Sequence, residues 1–188
     1  TYNIDEKKGD NHYNCPVVAY YPEVIRCNVK MNEGTRFLSP FLNISNEKTF
    51  SKYFTIQMNK EGIDLDERDV KRAAGLAYKA LAEYKSDVEK EGERIIEKAE
   101  KENIPLVVLV GRPYHVDSEI NHGIDTLLTS LGVAIITEDS VSRKEEKFRT
   151  MVLNQWTYHS RLYGAAKWVR DRKDNRTVLI HLVSFGCG

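Results

Sequence analysis

Cysteine is scarce in this chain: Cys15, Cys27 and Cys187, an odd number spread over 188 residues. That excludes a disulfide framework and leaves free thiols or metal ligands in a reducing compartment. No Cys-x-x-Cys pair occurs, so no local metal-binding loop is written into the sequence. Neither sign of charge dominates, with 28 Lys plus Arg against 28 Asp plus Glu. Without a basic stripe interleaved with aromatics, nucleic acid is excluded as the main partner. No apolar run reaches the length of a membrane span, and no charged-then-apolar signal segment opens the chain. A cytoplasmic protein with no membrane partner is expected. The Gly-x-Gly-x-x-Gly and Walker fingerprints of nucleotide sites are missing as well.

What is present divides into three stretches. Residues 1–14 are polar and read as a disordered lead. Residues 15–103 read as a partial α/β lobe followed by a long helical segment. Its first part, "CPVVAYYPEVI", "TRFLSPFLNI" and "KYFTIQM", is broken by Pro16, Pro22 and Pro40 and suggests short strands, turns and one short helix. From Val70 to Ala99 apolar residues recur at helical spacing, capped by Asp64 or Asp66 and stopped by Asn103 and Pro105. Unbroken, that helix would run roughly 50 Å at about 1.5 Å per residue, so a break near Gly75 or Gly92 is expected. The opening Thr1 and the ending after a glycine turn suggest a segment of a longer protein.

Residues 104–188 read as a β-α-β-α-β lobe. "PLVVLV" is a short, continuous, β-branched run typical of a strand buried on both faces, "VAIIT" reads as a second buried strand and "TVLIHLVSF" as a third. Between them lie "SEINHGIDTLLTSLG", a helix with Asp117 or Ser118 as cap and Ile120, Ile124, Leu127 and Leu131 inward, and an amphipathic stretch from about Lys144 to Arg170. The fold class is therefore α/β, a Rossmann-like parallel sheet with flanking helices.

Ligands of open parallel sheets bind beyond the carboxyl ends of the strands. Three loops meet there: "GRPYHVD", "EDSVS" and "GCG", bringing Gly111, Arg112, Tyr114, His115, Glu138, Asp139 and Cys187 to one edge. Arg112 offers a fork for a carboxylate or phosphate. The alternative is structural, with Arg112 paired to Glu138 or Asp139 and His115 capping a backbone group. On the last helical stretch Gln155, His159 and Tyr163 share a face, a stripe that suits core or interface. His159 and Arg161 are further candidates for a polar role.

"NCPVVAYYPEVI", "VVLVGRPYHVDSEINHGID", "NQWTYHSRLYGAA" and "VSFGCG" together resemble the 2-hydroxyacyl-CoA dehydratase-related region of large multidomain acyl-CoA dehydratase activase proteins of anaerobes. The resemblance runs from Cys15 to Gly188. It implies lobes of dehydratase type with a [4Fe–4S] cluster between them, held by cysteines from distant loops. Cys15 and Cys187 fall at the family's cysteine motifs and take metal-ligand status from it; Cys27 matches none. A third cysteine would lie upstream, so this stretch alone is not expected to keep the cluster or to be active. ATP would bind only in other domains of the parent protein. The implied function is ATP-driven one-electron transfer to a CoA-thioester substrate or partner, with activase ATPase modules and acyl-CoA as partners. Arg112, Tyr114 and His115 would line the substrate pocket; no catalytic residue is assigned. A scaffold or regulatory domain that docks activase modules, and a CoA- or phosphate-binding α/β module, stand as alternatives.

Overall fold

The computed structural model describes residues 15–44, 46–145, 148–152 and 154–184. The expected polar lead and Cys187 lie outside them. Compactness divides the described chain into one unit up to Ala82 and a second from Glu83 onward.

The first unit is helical where short strands were expected. Helix α1 covers Pro16–Asn28 and α2 covers Glu47–Lys60. Pro16 sits in the first helical turn, where its missing N–H costs nothing and its fixed φ already suits the helix. The helix continues through Pro22, giving up one internal hydrogen bond there. The run Val-Val-Ala-Tyr-Tyr has strand propensity but no alternation, and the proline start decides against a strand. Asn46 caps α2 by accepting from the Thr49 N–H at 3.0 Å. Within this unit the Tyr78 hydroxyl donates to the Ile44 carbonyl at 2.5 Å, and its ring meets Phe50 edge-on.

Helix α3 runs unbroken from Glu67 to Glu102, 36 residues, so neither expected break occurs. Asp66 caps it through the Arg68 and Asp69 N–H groups. Gly92 is no hinge. A Cβ placed there would come within 2.4 Å of the Ser140 Cβ, so the glycine permits a close approach of another segment.

The second unit is built on a three-stranded parallel sheet, as expected. Strands β1 (Leu106–Val110), β2 (Ala134–Thr137) and β3 (Thr177–His181) lie in the order β2-β1-β3, all parallel. Every residue of β1 is buried, which is why this strand is a continuous apolar run. Leu106, Val108 and Val110 share one face by the period of two. They pack with Ile136, with Ile96 and Ala99 of α3, and with Leu162 and Ala165 of the later helix α6 (Thr157–Arg172).

Two helices are shorter than the sequence predicts. After the four-residue α4 (Pro113–Val116), the Asp117 carboxylate accepts from Glu119 N and Ile120 N, and Asn121 accepts from Gly123 N and Ile124 N. These side chains take the N–H groups that a helix would need, so α5 starts only at Ile124 and ends at Ser130. His122 and Gly123 adopt positive φ just before it. Ile120, Leu127 and Leu131 are exposed rather than inward, and Gly132 ends the segment in the left-handed conformation. In the second, the described residues between Glu145 and Trp156 form no helix, and α6 begins only at Thr157. Met151, Val152 and Ala166 are exposed, and Leu162 carries the inward stripe. Among the described residues no helix is long and apolar enough to cross a membrane.

Candidate functional site at the carboxyl edge of the sheet

Because β3 and β2 flank β1 on opposite sides, the carboxyl edge between β1 and β3 is the topological switch point, where open α/β sheets bind their ligands. Gly111 turns the chain at the tip of β1. A Cβ there would sit 2.9 Å from both the His115 Cβ and the Leu182 carbonyl oxygen, so only glycine lets the two loops close this tightly.

Buried polar residues concentrate here. Of the ten buried polar or charged side chains among the described residues, eight lie between Arg112 and Ser160: Arg112, Asn121, Glu138, Ser140, Ser142, Asn154, Thr157 and Ser160. Polar groups are normally excluded from interiors, so such a concentration marks a site or a dense network.

The two halves of this edge differ. At the β1–β3 side, Arg112 is 9% exposed and its Nη2 donates to His159 Nε2 of α6 at 3.3 Å. A guanidinium only donates, so His159 is neutral at this contact and carries its proton on Nδ1. That Nδ1 is buried and has no partner among the described residues, at a cost of about 1–3 kcal/mol for an unsatisfied group. His115 accepts the Arg112 backbone N–H on Nδ1 at 3.3 Å, so its proton lies on Nε2 and is directed to the Ser184 hydroxyl at 2.6 Å. That bond joins the loop after β1 to the one after β3. Burial first, then the charges of Arg112 and His181, hold both His115 and His159 below the ordinary imidazole pKa.

At the β2 side a carboxylate is present. Glu138 is 2% exposed, and Arg161 of α6 donates to its Oε1 at 2.8 Å while lying 3.6 Å from Asp139. Burial pushes the Glu138 carboxyl up to about 7 against the pull of Arg161, and its Oε2 has no partner among the described residues. Two glycines make this burial possible. Gly92 of α3 admits Ser140, and Gly164 of α6 admits the Ser142 backbone, whose oxygen would lie 2.7 Å from an added Cβ. Beside the pair, Tyr84, Lys85, Val88, Asp139, Ser142, Arg143 and Arg161 line a cleft of about 90 Å³.

The structure thus brings Arg112 and His115 together, and His115 performs the backbone cap that the structural alternative assigned to it. Tyr114 is 46% exposed, its ring 4.4 Å from that of His115. Glu138 and Asp139 pair with Arg161, and Arg112 meets His159, a residue that sequence reasoning left without a partner. The shared face of His159 and Tyr163 is found, with ring centroids 6.4 Å apart. His181 and Ser184 were not singled out, although both follow directly from the third strand and its carboxyl end.

Cys15 is the N-cap of α1, half-buried, not in a disulfide and without a side-chain capping bond. A partly accessible thiol at a helix start suits a thiolate ligand. Among the described residues no three His, Cys, Asp or Glu side chains gather to hold a metal ion.

A sequence model described as the CoA enzyme activase uncharacterised domain (DUF2229) matches residues 1–141, 141 of the 188. No curated protein and no solved structure matches the chain.

Proposed function

The chain belongs to the CoA enzyme activase uncharacterised domain family, and on that premise we propose that it is the dehydratase-like α/β part of a system for ATP-driven one-electron transfer to a CoA-thioester substrate or partner. The observation supporting this reading is the placement of Arg112, a nearly buried guanidinium at the carboxyl end of the central strand. One-electron addition to a thioester carbonyl places negative charge on its oxygen. A preorganised cation in a site of low dielectric favours that charge far more than water does. Arg112 would bind the developing anion, and Tyr114 and His115 would line the pocket. A [4Fe–4S] cluster, with Cys15 and Cys187 among its ligands, would supply the electron. ATP would be hydrolysed by modules elsewhere in the parent protein.

Calorimetric titration with an acyl-CoA tests the pocket. Arg112→Ala should weaken binding by at least tenfold, and unchanged affinity removes Arg112 from it. Anaerobic reconstitution of the parent protein with iron and sulfide tests the ligands. Cys15→Ser and Cys187→Ser should each lower iron content and visible absorption; if neither does, the ligand assignment is wrong.

A second reading, a module that docks activase ATPase domains, draws on α1. Val17, Tyr20, Tyr21 and Val24 of this helix are all more than half exposed. Such a surface commonly marks an interaction site. Tyr20→Glu with Val24→Glu should abolish association with an activase module in sedimentation velocity; association of equal strength excludes α1.

A further inference from the structure

The carboxyl edge around Arg112 holds an arrangement that the functional reading does not use. The Arg112 guanidinium faces the Nε2 acceptor of a neutral His159 at 3.3 Å. The opposite nitrogen of that ring is buried without a partner among the described residues. From the loop after β1 come His115 and the Tyr114 ring, and from β3 and its following loop come His181 and Ser184. Tyr163 stacks obliquely on the same helix. Also on α6, Arg161 is occupied by Glu138 and Asp139. The charges that act on His115 and His159 come from Arg112 and His181, and both oppose a positive ring.

Protonating His159 would change this contact in kind. Its Nε2 would become a donor facing the donor of Arg112, with two positive charges about 3 Å apart. A negatively charged acceptor bridging them satisfies both donors and offsets the repulsion. Anion arrival and proton uptake are then linked, each raising the equilibrium constant of the other by the same factor.

We propose that Arg112 and His159 form a proton-coupled receptor for an oxyanion, a carboxylate or a tetrahedral phosphate-like group, which bridges the guanidinium and a His159 ring that has taken up a proton. The inference rests on the reading that this edge is the ligand site, and it adds how the site is regulated. The one bond formed is the N–H at His159 Nε2, its proton given up by solvent as one anion enters.

Titration calorimetry of the 188-residue chain at pH 7.5, in two buffers of different ionisation enthalpy, counts the protons. Acetate serves as the carboxylate probe and sulfate as the tetrahedral one, since neither titrates near neutrality. About one proton should be taken up per anion, and affinity should fall about tenfold per pH unit above the titration of the ring. The stronger of the two probes identifies the ligand geometry. His159→Gln keeps an acceptor for Arg112 but cannot take up a proton. In this variant the uptake and the pH dependence should vanish, whereas in His115→Gln they should persist.

Anion binding without proton uptake, uptake retained in His159→Gln, or no binding of either probe overturns the proposal. Nitrogen-detected NMR of the free protein should find the His159 proton on Nδ1; a proton on Nε2 overturns it independently of any ligand. A CoA thioester that binds through Arg112 without proton uptake leaves the functional reading standing and removes this one. Uptake with acetate or sulfate, but no thioester binding, does the reverse.

Discussion

Two arginines at the same sheet edge meet opposite partners. Arg161 contacts a buried carboxylate, Glu138, at 2.8 Å, and Arg112 contacts a neutral imidazole, His159, at 3.3 Å. The first arrangement is nearly closed: charge meets charge and only the Glu138 Oε2 is left over. The second sets a guanidinium beside rings that burial first, and then its own charge, hold toward the neutral form. A matched pair chiefly holds structure together. A cation beside neutral, titratable rings is suited to receiving something else, which is why the functional reading rests on Arg112 rather than on Arg161.

The largest effect should come from breaking the matched pair. Arg161→Ala strands a buried carboxylate, and a loss of about 3 kcal/mol is expected at pH 8 in denaturant unfolding. At pH 5, where Glu138 keeps its proton, the loss should be clearly smaller. Equal losses at both pH values would mean that Arg161 acts through packing alone.

Overfilling the contact behind Glu138 should cost about 1–3 kcal/mol, since in Gly164→Ala the new Cβ meets the Ser142 backbone oxygen, which cannot rotate away. The gain in helix propensity, about 1 kcal/mol, offsets part of this. A stabilised Gly164→Ala protein would show that the segment from Glu138 to Lys144 yields easily.

Glu138→Gln sharpens the comparison through pH. The folded carboxyl titrates near 7 against 4.5 for an ordinary glutamate, so the folded state binds more protons than the unfolded state across that window. Stability must therefore fall as pH rises from about 4.5 to 7 on account of this group. The two depressed histidines act in the opposite sense. Below pH 6.5 the unfolded rings take up protons that the folded ones refuse, so they remove stability as pH falls. Glu138→Gln should remove the first slope and leave the second, as read from unfolding midpoints across pH 4.5–8. Persistence of a decline toward pH 7 would place its origin in another group.

The smallest change in stability should follow Arg112→Met, about 1 kcal/mol or less, because its contact with His159 is to a neutral ring and the aliphatic stem is retained. Its effect should appear in ligand binding instead. A destabilisation matching that of Arg161→Ala would erase the distinction between the two arginines.

Legibility in the sequence followed the range of the forces involved. Strand β1 could be read because burial on both faces demands an apolar, β-branched run such as "VVLV"; β2 and β3 are only partly buried and could be read from the shorter apolar runs "VAII" and "TVLI". Helix α3 could be read from its periodicity and from Asp66 at its start. Helix α5 was misplaced because Asp117 and Asn121 capture backbone N–H groups that the apolar spacing alone would have assigned to a helix. Helix α1 was missed because Pro16, a breaker in most positions, is a good first residue. At the site, loop order after parallel strands was enough to place Arg112, Tyr114, His115, Glu138 and Asp139 on one edge.

By itself, then, the sequence determined the parallel sheet, the edge that carries the polar loops and the family to which the chain belongs. Those depend on periodicity, strand order and local motifs, all of which are written along the chain. Only the tertiary structure decided that Arg112 meets His159, 47 positions away, and that Arg161 takes Glu138. Pairing at that range is set by where α6 crosses the sheet edge and by the close contacts at Gly92 and Gly164. The same crossing set the protonation of each partner, because burial and neighbouring charge act through space and not along the sequence.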